Sequence, residues 1–350
     1  MNELNKIVSD KIKELRSTLP ELIMKEQLKI QPKLKEIYTE RYKRLYLEDI
    51  RFHLSYLAES IAVEEPILYN EYMSWAKTFF STLPIDEYDI ILNFKIIRDS
   101  LETSLNSDLS AITSRYMNAG IEVFKSTSII PTSFIKESNP LNLLASEYLS
   151  FLLAGNKKAA QDIIMKTVEE GTSIKDIYLN VFQITQDETG RLWQLNKINV
   201  AQEHFITAAT QLIMSQLYSY LFTSEKKKKS IIVSCVQGEL HEIGARMVAD
   251  LFELVGWDSY YFGANTPNSS IVKAIDTYRP DIFAISVTMT YNLSSVIELI
   301  ESIRKEPNAN YVKILVGGYP FNLTTNLWKN IGADGSAQNA LEAIKLVSTF

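Results

Sequence analysis

From Ser230 onward the sequence alternates short, near-continuous apolar runs with amphipathic stretches, and few folds accept that pattern. The runs are "SIIVSCV", "DSYYFG", "IFAISV" and "VKILVGG", followed by "GADGSA". A strand that is apolar on both faces must be covered on both faces, and the amphipathic segments between the runs supply the covering helices. Residues 230–350 are therefore expected to form a small doubly wound α/β domain, Rossmann-like or flavodoxin-like, with about five parallel strands. In such sheets ligands bind beyond the carboxyl ends of the strands. The loops expected there carry the unusual residues: Glu239, His241 and Gly244 in "GELHEIG", then Ser286 and Thr288, then Gly317 and Gly318.

Upstream, every pattern is helical. Residues 1–125 show apolar positions at three-to-four spacing in "IRFHLSYLAESIAV", "PILYNEYMSWAKTFF" and "IDEYDIILNFKIIRDSLETSL", with no glycine before Gly120. Residues 126–140 hold two prolines and several Ser/Thr, and read as a linker. Residues 141–222 hold four helical stretches with short connections, the third opening on a Ser173 cap, so an antiparallel four-helix bundle is expected. The run "TSEKKKK" at 223–229 is a charged, solvated hinge.

Composition excludes several function classes. A net charge of −6 argues against a nucleic-acid binder. No apolar run approaches the roughly 18 residues of a membrane span, and the charged N-terminus is no signal peptide. The single cysteine, Cys235, forbids an intrachain disulfide and a multi-cysteine zinc site. A reducing cytoplasm is the expected location.

"GELHEIG" is neither a dinucleotide fingerprint nor a phosphate loop, because it lacks both glycine patterns. Glu239, two residues before His241, can accept one ring N–H and leave the other nitrogen facing outward. One histidine without partner cysteines holds a bare metal poorly. It can serve as the single axial ligand of a metal that arrives in a macrocycle. Gly317 and Gly318 remove side chains where something bulky approaches, and Ser286 and Thr288 can hydrogen-bond a polar part of it.

These loops resemble the cobalamin-binding domain of corrinoid proteins, whose motif is Asp-x-His-x-x-Gly, Ser-x-Leu and Gly-Gly. Here Glu239-x-His241-x-x-Gly244 is followed after 41 residues by Ser286-Val-Thr288, and after 28 more by Gly317-Gly318. Glu239 replaces aspartate and Thr288 replaces leucine. The resemblance implies His241 as the lower axial ligand of cobalt. The cofactor's nucleotide tail would lie in a slot lined by Ser286, Thr288, Gly317 and Gly318.

The bundle carries a second pattern. Trp193 ends the third helical stretch, and Glu203-His204 opens the fourth after nine intervening residues. This resembles the light-sensing adenosylcobalamin proteins. The resemblance implies that Trp193 and Glu203 cradle the adenosyl group and that His204 takes the upper cobalt position after light has cleaved the cobalt–carbon bond. The overall architecture and the segment "RFHLSYLAESIAVEEPILYNEYMSWAK" resemble the photocobilins, which add a bilin-binding helical domain. That resemblance assigns His53 to hydrogen-bond biliverdin or a related bilin, and Arg51, with Arg41, Lys43 and Arg44, to pair with its propionates. Tyr56, Tyr72 and Trp75 would pack on its rings. No cysteine lies in residues 1–140, so such a bilin is not thioether-linked there. The expected protein is thus a non-enzymatic photosensor and homo-oligomer that changes its packing in light and signals to an unidentified downstream protein. The alternatives are a methyl-carrying corrinoid protein serving a methyltransferase, a haem sensor on the same scaffold, and a purely dimerising N-terminal domain.

Overall fold

The computed structural model describes residues 2–36, 39–128, 131–222 and 225–350. Ile129 and Ile130 of the expected linker, and Thr223 and Ser224 of the expected hinge, lie outside the described residues. The chain forms two compact units. The first is Met1–Ile129 with Met289–Ile297 and Tyr319–Gly332; the second is Ile130–Thr288 with Glu298–Gly318 and Ala333–Phe350. Two segments of the α/β part thus belong to the first unit.

Among its described residues the first unit holds the helices α1 (Glu3–Leu15), α2 (Leu19–Ile30), α3 (Glu40–Ala62), α4 (Pro66–Phe80), α5 (Glu87–Ser104) and α6 (Ser107–Ser126). Their starts are written in the sequence. Asn2, Thr39, Asp86 and Asn106 each cap a helix by accepting a backbone N–H, and Pro66 occupies a first turn. Leu54, Leu57, Ile61, Phe94 and Phe124 fill the core. Gly120 lets α6 approach α4, since a Cβ there would lie 2.5 Å from the Tyr69 ring. Glu59 is buried. It accepts from the Ser294 backbone N–H at 3.0 Å and pairs with Lys13 Nζ at 2.8 Å. It thereby caps a helix more than two hundred residues away.

His53 lies inside this core, 4% exposed, with Nδ1 2.5 Å from the Tyr72 hydroxyl and its ring edge-on to Phe94. Burial pushes its pKa from 6.5 down to about 3, so the folded unit holds it neutral. The unfolded chain binds a proton near the ordinary value. Stability from this group is therefore complete above pH 6.5 and is lost as pH falls toward 3. At about 1.4 kcal/mol per pH unit, the loss is on the order of 4–5 kcal/mol. His53→Gln keeps a hydrogen-bonding partner for Tyr72 but does not titrate. Its acid unfolding, followed by circular dichroism, is expected at lower pH than wild type; coincident curves would remove His53 as the cause.

The second unit begins with the bundle: α7 (Asn142–Leu153), α8 (Lys157–Glu169), α9 (Ile174–Ile177), α10 (Gln183–Gln194) and α11 (Val200–Gln216). Ser173 caps α9 as expected, accepting from Asp176 N–H. The expected third helix is interrupted, because the π-turn Tyr178–Phe182 joins α9 to α10. Asn199 and Gln202 form a reciprocal capping box that fixes the start of α11.

The sheet comprises β1 (Ser230–Cys235), β2 (Asp258–Gly263), β3 (Ile282–Ser286), β4 (Lys313–Gly317) and β5 (Gly335–Ser336), all parallel, in the order β2-β1-β3-β4-β5. The described helices of this part are α12 (Ile243–Leu254), α13 (Asn268–Tyr278), α14 (Leu293–Lys305), α15 (Tyr319–Leu323), α16 (Leu327–Asn330) and α17 (Ala340–Val347). This is the doubly wound, flavodoxin-like arrangement, with its switch point between β1 and β3. Register pairs Cys235 with Ser286 and Ser286 with Gly317, so the three unusual loops emerge side by side.

The bundle is seated on α12. Met247 and Leu251 of α12 are buried in one cluster with Ile206, Ile213 and Tyr178; each such aliphatic side chain contributes about 1.5–3 kcal/mol. Tyr178 donates to Asp250 at 2.9 Å, and Arg246 donates to the Gln211 carbonyl at 3.1 Å. Since α12 starts at Ile243, inside "GELHEIG" and two residues after His241, this packing holds the bundle to the helix that follows His241.

Candidate cofactor site

The site is organised by one buried carboxylate. Glu239 is 0% exposed. Its Oε1 accepts from the His241 backbone N–H at 3.0 Å and lies 2.6 Å from His241 Nδ1, while Oε2 accepts from the Thr288 N–H at 2.9 Å. The glutamate that replaces aspartate thus ties the first loop to the third as well as orienting the imidazole. With Nδ1 engaged, Nε2 is the free ring nitrogen, on a side chain that is 57% exposed. The hydrogen bond to Glu239 holds the His241 pKa above the ordinary histidine value, against desolvation, and the charges of Glu239 and Glu203 add to it. Glu203 belongs to the bundle, so its field reaches the loop histidine.

Gly244 stands in the first turn of α12, where an added Cβ would meet nothing within 4 Å. At Gly317 and Gly318 the chain itself lies close to where a side chain would stand. Gly318 has φ +106°, and a Cβ there would lie 1.9 Å from the Val287 carbonyl oxygen. A Cβ at Gly317 would lie 3.1 Å from the Ala337 carbonyl oxygen. The pair allows loops of this chain to close on one another, whatever else approaches them. Ser286 and Thr288 are half-buried beside them. Cys235 is buried, and desolvation pushes its thiol up to about 12; it is a core residue.

These donors fit a metal held in a macrocycle. One outward imidazole nitrogen, backed by a buried carboxylate, stands on a loop that Gly244 leaves open. His241 would hold the metal, and Glu239 would fix the tautomer and strengthen the ligand.

On the bundle, Trp193 lies in the last turn of α10 and is half-buried against the bundle core. Glu203 and His204 lie in the first turn of α11. His204 is 75% exposed, with Nδ1 2.5 Å from Glu203 Oε2. Thr207 donates from one hydroxyl to Glu203 at 2.9 Å or to Gln186 at 3.1 Å, and Gln186 donates to Thr210 at 3.0 Å. Gln186 and Thr207 escape the sequence reading. The one clue to them is the i, i+4 spacing of Glu203 and Thr207.

The residues assigned to a bilin are brought together, but they are packed on one another. The Tyr56 and Tyr72 rings stack at 3.8 Å, Tyr72 and Trp75 stack at 6.4 Å, and His53 is bonded to Tyr72. Arg51 pairs with Glu21 at 3.3 Å, and Lys43 with Glu40 at 2.5 Å.

Two family profiles, each described as a B12 binding domain, match residues 229–345 and 144–218. Dimethylamine corrinoid protein 1 of Methanosarcina mazei is 26% identical over 193 residues, covering 53% of this chain and 87% of that protein. Dimethylamine corrinoid protein 3 of the same organism is 30% identical over 123 residues, covering 35% of this chain and 72% of that protein. The structure of the Methanosarcina barkeri monomethylamine corrinoid protein superposes with a TM-score of 0.53 at 20% identity. It covers 59% of this chain and 98% of its own, which establishes the shared fold.

Proposed function

We propose, from the premise that this chain belongs to the family of cobalamin-binding corrinoid proteins, that it is a non-enzymatic light sensor using the adenosyl form of that cofactor. The observation that carries this reading is the trio Trp193, Glu203 and His204 at adjoining ends of α10 and α11, with the Glu203 charge felt by His241. His241 would hold the cofactor's metal through Nε2. Trp193 offers a flat apolar surface to an adenine ring, and Glu203 offers acceptors to ribose hydroxyls. His204, exposed and tethered to Glu203, is the imidazole available to the upper face. Bound adenosylcobalamin would supply a cobalt–carbon bond that visible light breaks. The protein's part is to bind one state of the cofactor better than the other, which is what shifts packing or assembly.

The names of the relatives favour a second reading, a corrinoid carrier that serves a methyltransferase. The match takes in 87% of the dimethylamine protein but only 53% of this chain, so nearly half of this chain lies outside it. Both readings expect the matched cap-and-sheet module; the trio is what supports the first of them.

The test is an absorption spectrum and an elution profile of protein loaded in the dark with adenosyl- or methylcobalamin, before and after green light. The light-sensor reading expects a light-dependent elution shift with the adenosyl form. An unchanged profile, together with methyl transfer to a partner enzyme, would establish the carrier reading. Co-expression with biliverdin extends the test to the first unit, where a bilin has to part Tyr56 from Tyr72; a red-absorbing species is the expected sign of it.

A further inference from the structure

Glycine is a poor choice inside a helix unless something requires it. Of the twelve glycines, Gly155, Gly171, Gly238, Gly256, Gly263, Gly318 and Gly332 have positive φ, which accounts for them. Gly120, Gly317 and Gly335 have neighbours that an added Cβ would meet at 2.5, 3.1 and 2.7 Å. Two remain, with ordinary φ and nothing within 4 Å of an added Cβ: Gly244 and Gly190. Gly244 is accounted for by the loop motif below the cofactor. Neither the backbone nor the packing of this chain calls for a glycine at 190.

Gly190 lies inside α10, four residues after Gln186 and three before Trp193, so the three share one helix face. Gln186 is joined through Thr207 to Glu203. Asp187, on the adjacent edge of that face, is reached by water. Gly190 therefore lies on the face that carries Trp193 and Gln186, beside the groups proposed to meet the upper ligand.

We infer that Gly190 sets the size of upper cobalt ligand the protein accepts: its missing side chain is the clearance that admits a bulky alkyl group. This rests on the proposed reading only in placing the bundle above the corrin. It extends that reading by naming the residue that separates bulky alkyl cobalamins from small-ligand ones.

The test is dark titration of the full chain with adenosylcobalamin, methylcobalamin and hydroxocobalamin, followed by absorbance. Leucine is the better helix former, so Gly190→Leu should fold. It is expected to lose about tenfold or more in affinity for the adenosyl form while holding the other two within about twofold. Gly190→Ala is expected to raise the thermal midpoint of the cofactor-free protein by roughly 2–4 °C, because helix propensity improves where nothing is packed. Equal losses for all three cobalamins, or none for any, would overturn the inference, and so would an alanine variant of lower midpoint. A size-selective loss without any light response in wild type would keep the inference and sink the light-sensor reading.

Discussion

His241→Ala is expected to bind cobalamin at least as weakly as a variant lacking the supporting carboxylate, a loss of about 10–100-fold. What still binds should show the spectrum of cofactor that keeps its own benzimidazole on cobalt. The structure offers Nε2 of His241 and no second imidazole in that loop. Glu239→Gln makes a sharper companion. The two oxygens of Glu239 accept from three N–H groups, two of His241 and one of Thr288. An amide has one accepting oxygen, so its NH2 must face a donor. The cost of an unmet buried donor is about 1–3 kcal/mol. Glu239→Gln should thus lose stability and cofactor affinity together, whereas His241→Ala should lose affinity with little change in the cofactor-free melting curve. Isothermal titration and thermal melts of both variants check this, and wild-type affinity with a histidine-ligated spectrum in His241→Ala would remove it as the ligand.

The sheet was legible in the sequence because its strands are apolar on both faces and its helices are not. "SIIVSCV" and "IFAISV" contain β1 and β3. "GADGSA" shrinks to the two residues of β5, since an edge strand needs little apolar sequence. The motif spacing located His241, and local chemistry anticipated its bond to Glu239, two residues away. What stayed hidden depends on distant residues. Nothing near Glu239 announces Thr288, 49 residues on, and nothing near Glu59 announces Ser294, 235 residues on. The π-turn at Tyr178–Phe182 has no local signal, because a turn widened by one residue is accommodated by the surrounding packing. Gly-Gly was readable as a place without side chains. That the excluded neighbour is the Val287 carbonyl could be learned only once β3 and β4 were paired. The division into two units likewise rests on contacts between distant residues. The chain passes into the first unit directly after Thr288 and again directly after Gly318, where the motif residues end but the α/β pattern continues.

The upper face should fail separately from the lower one. Trp193→Ala leaves Glu239 and His241 untouched, so it should bind hydroxocobalamin like wild type. It removes the apolar surface offered to the adenine. A stacked aromatic contact is worth about 0.5–1.5 kcal/mol, so the preference for the adenosyl form should fall by roughly three- to tenfold. With it should go most of the light-dependent change in elution, because that change can be no larger than the difference in binding that drives it. Trp193 is also packed against the bundle core, so Trp193→Phe serves as the control: it keeps an aromatic face and should keep a reduced but measurable light response. His204→Ala behaves differently. At 75% side-chain exposure His204 contributes little to the fold, and substitution there should shift stability by no more than about 0.5 kcal/mol. The variant should still respond to light but end in a different absorption spectrum, having no imidazole to offer the upper face. Dark and illuminated spectra and elution profiles of the three variants decide the matter. An unchanged light-dependent elution shift in Trp193→Ala would reduce the trio to bundle packing. A wild type with no light-dependent shift at all would put the methyl-carrier reading, which needs no contact with an adenosyl group, in its place.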